Sequence, residues 1–344
     1  MKRIAVSALA IGAAALLPGA VIADDFYKDK TVRIVVPSGS GGTYHLYCQI
    51  LSRHMGKHLG GGTASVITQN MPGAGGAKAA RYMVTAAPKD GGVISMINPG
   101  AIAIPLMRPN VGFDTREMKW LGSMSGRAYT VGVWHTSPIK TIEDATKQEV
   151  IMGTTGKSST SYLIPAFMNK TIGTKFKIIT GYKGGGRINL AIEKGEIQGR
   201  GNFYAGYLGV RPEWIRDKKI TFLARMGPER DDIKDMPRLR DALKTDLQKE
   251  MLDILEVSFN VGQAFYAPPG IAKARLETLR KSFMDTMKDP ATRKEADSRF
   301  LPLRWQTHQQ VEAAIDKTFN SRPEAYKTLA KMLGFDKPRK KKKK

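Results

Sequence analysis

One stretch limits what this chain can become: residues 32–55, VRIVVPSGSGGTYHLYCQILSRHM. A β-branched run stops at Pro37, passes through a Ser/Gly loop, and enters a segment with apolar residues at Leu46, Ile50, Leu51 and Met55. Val and Ile suit a strand, and apolar residues three to four apart mark one helix face, so the unit reads strand, loop, helix. Such a loop leaves backbone N–H groups unpaired at the start of a helix, where the helix dipole also favours negative charge. The expectation is one half of a small-anion site.

The same unit recurs along the chain. Residues 64–69 read as a second strand, the turn MPGAGG at 71–76 leads into a small-residue helix, and 93–98 is a third strand ending at Asn98-Pro99-Gly100. Strands alternating with helices predict a parallel sheet, and ligands of such sheets sit beyond the carboxyl ends of the strands. A second αβ series begins at 129–134. Thr141 with Asp144 three residues on predicts a capping box, and the strand 150–152 runs into GTTGKSSTS at 153–161, which opens another helix. A strand at 175–180, the loop GYKGGGR at 181–187 with its helix, and elements at 197–202, 214–218 and 220–224 complete the series. Residues 226–249, rich in charge and proline, are expected as a surface excursion, and 259–267 as an extended apolar return towards the first series. Leu276, Leu279, Phe283 and Met287 then line one helix face, and Thr307 with Gln310 caps a last helix carrying Val311, Ile315 and Phe319.

The first 23 residues carry Lys2 and Arg3, then an uncharged apolar run, then small residues ending at Ala23, the pattern of a cleaved secretory signal. Cys48 is the only cysteine, so an exported chain has no intramolecular disulfide and relies on burial. The formal charge is +24. Signal removal takes two positive charges and the tail KPRKKKKK after Asp336 holds seven, so the body remains basic at +15. That charge admits anionic ligands, and it also admits a rival reading as a basic protein serving polyanions or a membrane surface.

Catalytic signatures fail on inspection. The Gly156-Lys157-Ser158 end of a phosphate-binding P-loop lacks its first glycine, because that position is Ile151. Gly39 and Gly41 begin a dinucleotide fingerprint whose third glycine position is Tyr44. His54 and His58 have metal-pair spacing, but Met55 stands where a zinc protease needs glutamate, and an exposed helical pair is expected instead. With no nucleophile or acid/base constellation, the chain reads as a binder and not an enzyme. Two loops at helix starts, facing each other across a cleft, would grip one anion from both sides, with hydroxyls of Thr43, Thr154, Ser158, Ser159 and Thr160 as further donors.

These residues resemble the periplasmic substrate-binding proteins of tripartite tricarboxylate transporters, the TctC or Bug-type family. The resemblance is carried by VRIVVPSGSGGT, QNMPGAGG at 69–76, GYKGGG at 181–186, KGEIQGR at 194–200 and FYAPPGIAKARLETLRKSFMDTMKDP at 265–290, in that order. It implies an α/β, two-domain periplasmic-binding-protein (Venus flytrap) fold, each domain a mostly parallel sheet flanked by helices. It implies a discontinuous first domain, 24–125 plus 257–334, and a second domain at 126–256; the basic tail at 335–344 is expected to be disordered from its composition. It further implies a monomeric periplasmic receptor with no cofactor and no nucleic-acid partner, delivering a small organic anion to transporter membrane subunits. Ligand contacts carried over by the resemblance are Ser38, Ser40, Gly41, Gly42, Thr43, Tyr44 and His45 from the first loop, and Thr154, Thr155, Lys157, Ser158, Ser159 and Thr160 from the second. Asn98, Tyr182 and Asn202 join them from adjacent strand ends. His45 and the neighbourhood of Asn202 depart from family patterns that often carry aspartate there. With Lys157 and Arg200 nearby, that departure predicts a cleft suited to a di- or tricarboxylate over an amino acid.

Overall fold

The computed structural model describes residues 25–336, so the expected signal segment and the Lys-rich stretch 337–344 lie outside the described residues. Eleven strands are seen among them: β1 Thr31–Val36, β2 Ser65–Asn70, β3 Val93–Met96, β4 Lys119–Ser123, β5 Tyr129–Trp134, β6 Val150–Thr154, β7 Phe176–Thr180, β8 Gly199–Phe203, β9 Ile220–Met226, β10 Ala264–Ala267 and β11 Gln306–Thr307. They form two sheets, ordered β11-β4-β10-β3-β1-β2 and β7-β6-β8-β5-β9.

The fold is the expected two-domain α/β arrangement, but the sheets are mixed and not mostly parallel. β1 runs parallel to β2 and β3, and β6 runs parallel to β7 and β8. β10 is antiparallel to β3 and β4, and β5 is antiparallel to β8 and β9. The cause is the route of the chain. β5 enters the second sheet from the first, β10 returns from the second, and neither has a local βαβ crossover to set its direction.

β1 is paired on both sides, by β2 and β3, and its residues alternate between two cores. Val32, Ile34 and Val36 pack with Tyr47, Ile50 and Leu51 of the helix Thr43–Met55 and with Leu279 and Phe283 of the helix Lys273–Lys288. Cys48 is buried in that core and burial pushes its thiol pKa up, which fits a packing residue and not a reactive one. On the other face Val35 joins a core that continues through Leu252, Leu255 and Phe259 to Val131, Leu163 and Phe167. The capping boxes at Thr141/Asp144 and Thr307/Gln310 are both formed.

The stretch 226–267 departs from expectation. A capping box at Thr245 and Gln248 opens the helix Asp246–Val261, so Phe259 is helical and only Ala264–Ala267 is extended. Met251, Leu252, Leu255, Ser258 and Phe259 recur at helical spacing and are buried, which holds this segment in a helix despite its charged start. This helix packs on Thr160–Thr171 and on the C-terminal helices His308–Phe319 and Pro323–Met332.

The chain crosses between sheets at two paired segments. The Met124 N–H donates to Gln263 O at 2.9 Å, and the Gln263 N–H donates to Ser125 O at 3.0 Å. Gly262 lies at φ 61°, where a side chain would strain the backbone and also strike Ser125 O. Among the described residues no helix is long and apolar enough to cross a membrane.

Candidate functional site

Loops from both sheets meet at the carboxyl ends of β1, β3, β6 and β8 and enclose a cavity of about 40 Å³, room for roughly three waters. Three helices begin there: Thr43–Met55 after Gly42, Thr160–Thr171 after Ser159, and Gly185–Glu193 after Gly184. None of the three has a side-chain cap or an acidic residue in its first turn. Their first N–H groups therefore remain available to an outside acceptor. Gly42, Thr43, Tyr44, Ser159, Thr160 and Gly185 all line the cavity.

The jaws are shut. The Gly39 N–H donates to Lys183 O across the cleft at 2.6 Å. Gly75 and Gly156 approach so closely that a Cβ on Gly75 would sit 2.6 Å from Ser159 N, and one on Gly156 would sit 2.5 Å from Gly75 N. A Cβ on Gly206 would sit 2.5 Å from Thr43 Oγ1. The glycines in these loops thus permit backbone contact between jaws.

One cation lines the cavity and no carboxylate does. Arg200, buried on β8, donates to Gly185 O at 2.9 Å and to Asn189 Oδ1. Burial pushes its pKa down, yet no acidic group is paired with it among the described residues. Beside it lies the fully buried Tyr129 hydroxyl, near Thr160, and burial raises its pKa well above the usual phenol value. Tyr129 reaches the cavity because residue 201 is glycine: a Cβ there would strike the Tyr129 hydroxyl.

Among the residues expected at the site, Ser38, Gly42, Thr43, Tyr44, Asn98, Thr155, Ser159, Thr160 and Asn202 line the cavity. Several hydroxyls and amides there already serve the protein. Ser159 Oγ donates to Gly156 O at 2.7 Å, and Asn98 Oδ1 accepts from Gly100 N at 3.2 Å. Thr154 and Ser158 are buried behind the wall and do not line it. Ser40 and Gly41 are exposed at the loop tip.

Three further residues expected at the site lie outside the cavity wall. Lys157 is exposed and outside the cavity, because the backbone of Gly156 is pressed against Gly75 and the next side chain turns to solvent. His45 faces away: its Nδ1 meets Asn70 Nδ2 at 3.2 Å, while the same amide donates to Ser38 O, and burial lowers its pKa. Tyr182 packs against Gly153 and the Ile188/Ile197 cluster, and only the neighbouring Lys183 carbonyl reaches the other jaw. Sequence reasoning did not single out Tyr129, Asn189, Phe203 or Gly206, and left Arg200 undecided. The signal available was Gly199-Arg200-Gly201-Asn202, since glycine inside a strand marks close approach.

The histidines of 54–58 are no metal pair. His54 Nε2 meets Glu295 Oε2 and His58 Nε2 meets Asp289 Oδ2, each at 2.8 Å, and both are partly buried. No cluster of three metal-ligating side chains occurs among the described residues.

Known proteins agree with this architecture. A UPF0065 protein of Bordetella bronchiseptica is 24% identical over 283 residues, 80% of this chain and 78% of its own. The periplasmic binding protein BugD superposes with a TM-score of 0.72 at 18% identity, over 90% of this chain and 99% of its own. MatC of Rhodopseudomonas palustris, solved with bound malate, gives 0.66 at 18% identity, over 88% of this chain and 99% of its own. Residues 48–328 match the family described as tripartite tricarboxylate transporter family receptor, TctC, and the chain belongs to that family.

Proposed function

We propose that this protein is a monomeric periplasmic receptor that captures a di- or tricarboxylate in the interdomain cleft and delivers it to the membrane subunits of a tripartite tricarboxylate transporter. The observation that carries the reading is the convergence of three uncapped helix N-termini and buried Arg200 on a cavity with no carboxylate in its wall. Oriented N–H groups and a guanidinium bind carboxylate oxygens well, whereas an amino acid would present its ammonium group to a wall without a counter-charge. The malate bound to MatC belongs to the same chemical class.

In this reading the first unit is 24–125 with 257–334 and the second is 126–256, moving about the paired crossing at Ser125 and Gln263. The ligand enters when the jaws part, because a cavity of about 40 Å³ is too small for a dicarboxylate. Closure then satisfies its oxygens from both sides and excludes water. The test is isothermal titration with malate, adipate, citrate, benzoate and glutamate at moderate salt. Saturable one-to-one binding of a di- or tricarboxylate, unchanged when residues 337–344 are deleted, is expected. Absence of saturable binding across the panel overturns the reading, and binding that vanishes with the tail favours the surface-charge alternative.

A further inference from the structure

A second cation stands behind the cleft with no acidic partner among the described residues. Arg127, 3% exposed, sits where the chain first crosses between sheets. All three of its guanidinium nitrogens are buried, the Tyr47 hydroxyl is the polar side chain beside them, and no carboxylate is paired with them among the described residues. Its guanidinium carbon lies 4.7 Å from the Tyr47 ring centroid and 4.4 Å from that of Phe203, so an aromatic ring from each unit flanks it. Arg230 and Arg304 line a small cavity beside Arg127 and add to the positive charge.

A buried, unpaired cation is costly, and two ring faces offset only part of that cost. Phe203 supplies the remaining clue. One side of its ring holds Arg127, and Phe203 also lines the ligand cavity, where it meets Tyr44 at a 6.4 Å centroid separation. The Phe203 ring therefore stands between Arg127 and an anion in the cavity. Across a buried ring Coulomb attraction is weakly screened.

Resting on the receptor reading above, we propose that Arg127 is a specificity-determining positioning residue: a permanent buried cation that favours ligands of higher negative charge without touching them. Arg200 contacts the ligand's oxygens, and Arg127 counts its charge through the Phe203 wall. The expected preference is for dianions over monoanions of the same shape.

The test compares adipate with its monomethyl ester on wild type, Arg127→Met, Arg127→Gln and Arg127→Lys, each first checked for folding by circular dichroism. The readout is the ratio of the two dissociation constants. A residue that only holds the hinge in shape shifts both affinities together and leaves the ratio alone. Loss of the Arg127 charge is expected to shrink the ratio roughly tenfold, with Lys retaining most of it. Should Arg127→Met not fold, the Gln variant carries the comparison. An unchanged ratio in a folded Met or Gln variant overturns this assignment and leaves the receptor reading standing. Absence of adipate and ester binding by wild type, with no other carboxylate bound, removes both.

Discussion

Arg200→Met is the substitution that separates charge recognition from folding in this receptor. Arg200 is 6% exposed, and its guanidinium holds Gly185 O and Asn189 Oδ1 at the start of a helix whose N-terminus faces the cavity. Methionine fills much of the same volume but donates nothing. The two stranded acceptors cost about 1–3 kcal/mol each. Removing a desolvated cation without an acidic partner returns several kcal/mol, so the net change in stability is expected to stay within about 2 kcal/mol. Binding has no such compensation. A charge-assisted hydrogen bond to a carboxylate contributes about 1.5–3 kcal/mol, which corresponds to a roughly 10- to 150-fold loss of affinity. Isothermal titration with the best dicarboxylate of the panel, alongside thermal unfolding, reads both quantities. Arg200→Lys should fall between, because an ammonium keeps the charge and loses the planar fork. A folded Arg200→Met protein with wild-type affinity refutes the claim that the cavity's cation holds the ligand.

Two other perturbations follow from the geometry. Gly100→Ala places a methyl against Thr160 N on the opposite jaw without a positive φ to strain its own loop, so the closed state should be blocked while each unit stays folded. Small-angle scattering should report an expanded molecule that malate no longer compacts; compaction equal to wild type would count against closure through this contact. Asp289→Asn probes pH: contacts with Lys57 and His58 hold the Asp289 carboxyl well below the usual range. A depressed folded pKa contributes stability above the unfolded value of about 3.9 and loses it as pH falls through the folded value. The variant should melt lower than wild type at pH 5–7, with the gap closing below about pH 4, and Asn retains the cap on Ala291 N. A gap that persists unchanged in acid would show that the charge contributes nothing.

Much of the fold was legible because it is written in local chemistry. The β-branched run before Pro37, the glycine loops and the Thr/Asp and Thr/Gln caps each constrain backbone within a few residues, and the structure forms them where expected. The helix Asp246–Val261 was missed because charge and proline at 226–249 masked an apolar stripe that becomes a helix face only when buried between two units. Strand direction was likewise out of reach, since β5 and β10 take theirs from long-range crossings.

The sequence by itself determined that helix starts with glycine and hydroxyl residues would be presented at strand ends, because φ/ψ freedom and helix capping act locally. Only the tertiary structure decided which side chains face the cavity. Lys157 and His45 sit in the right loops and turn away, while Tyr129 and Phe203 come from strands read as framework and line the cavity with Arg200. Orientation across a cleft depends on register and on which glycines let two backbones touch, and those are properties of the packed pair of sheets rather than of any one segment.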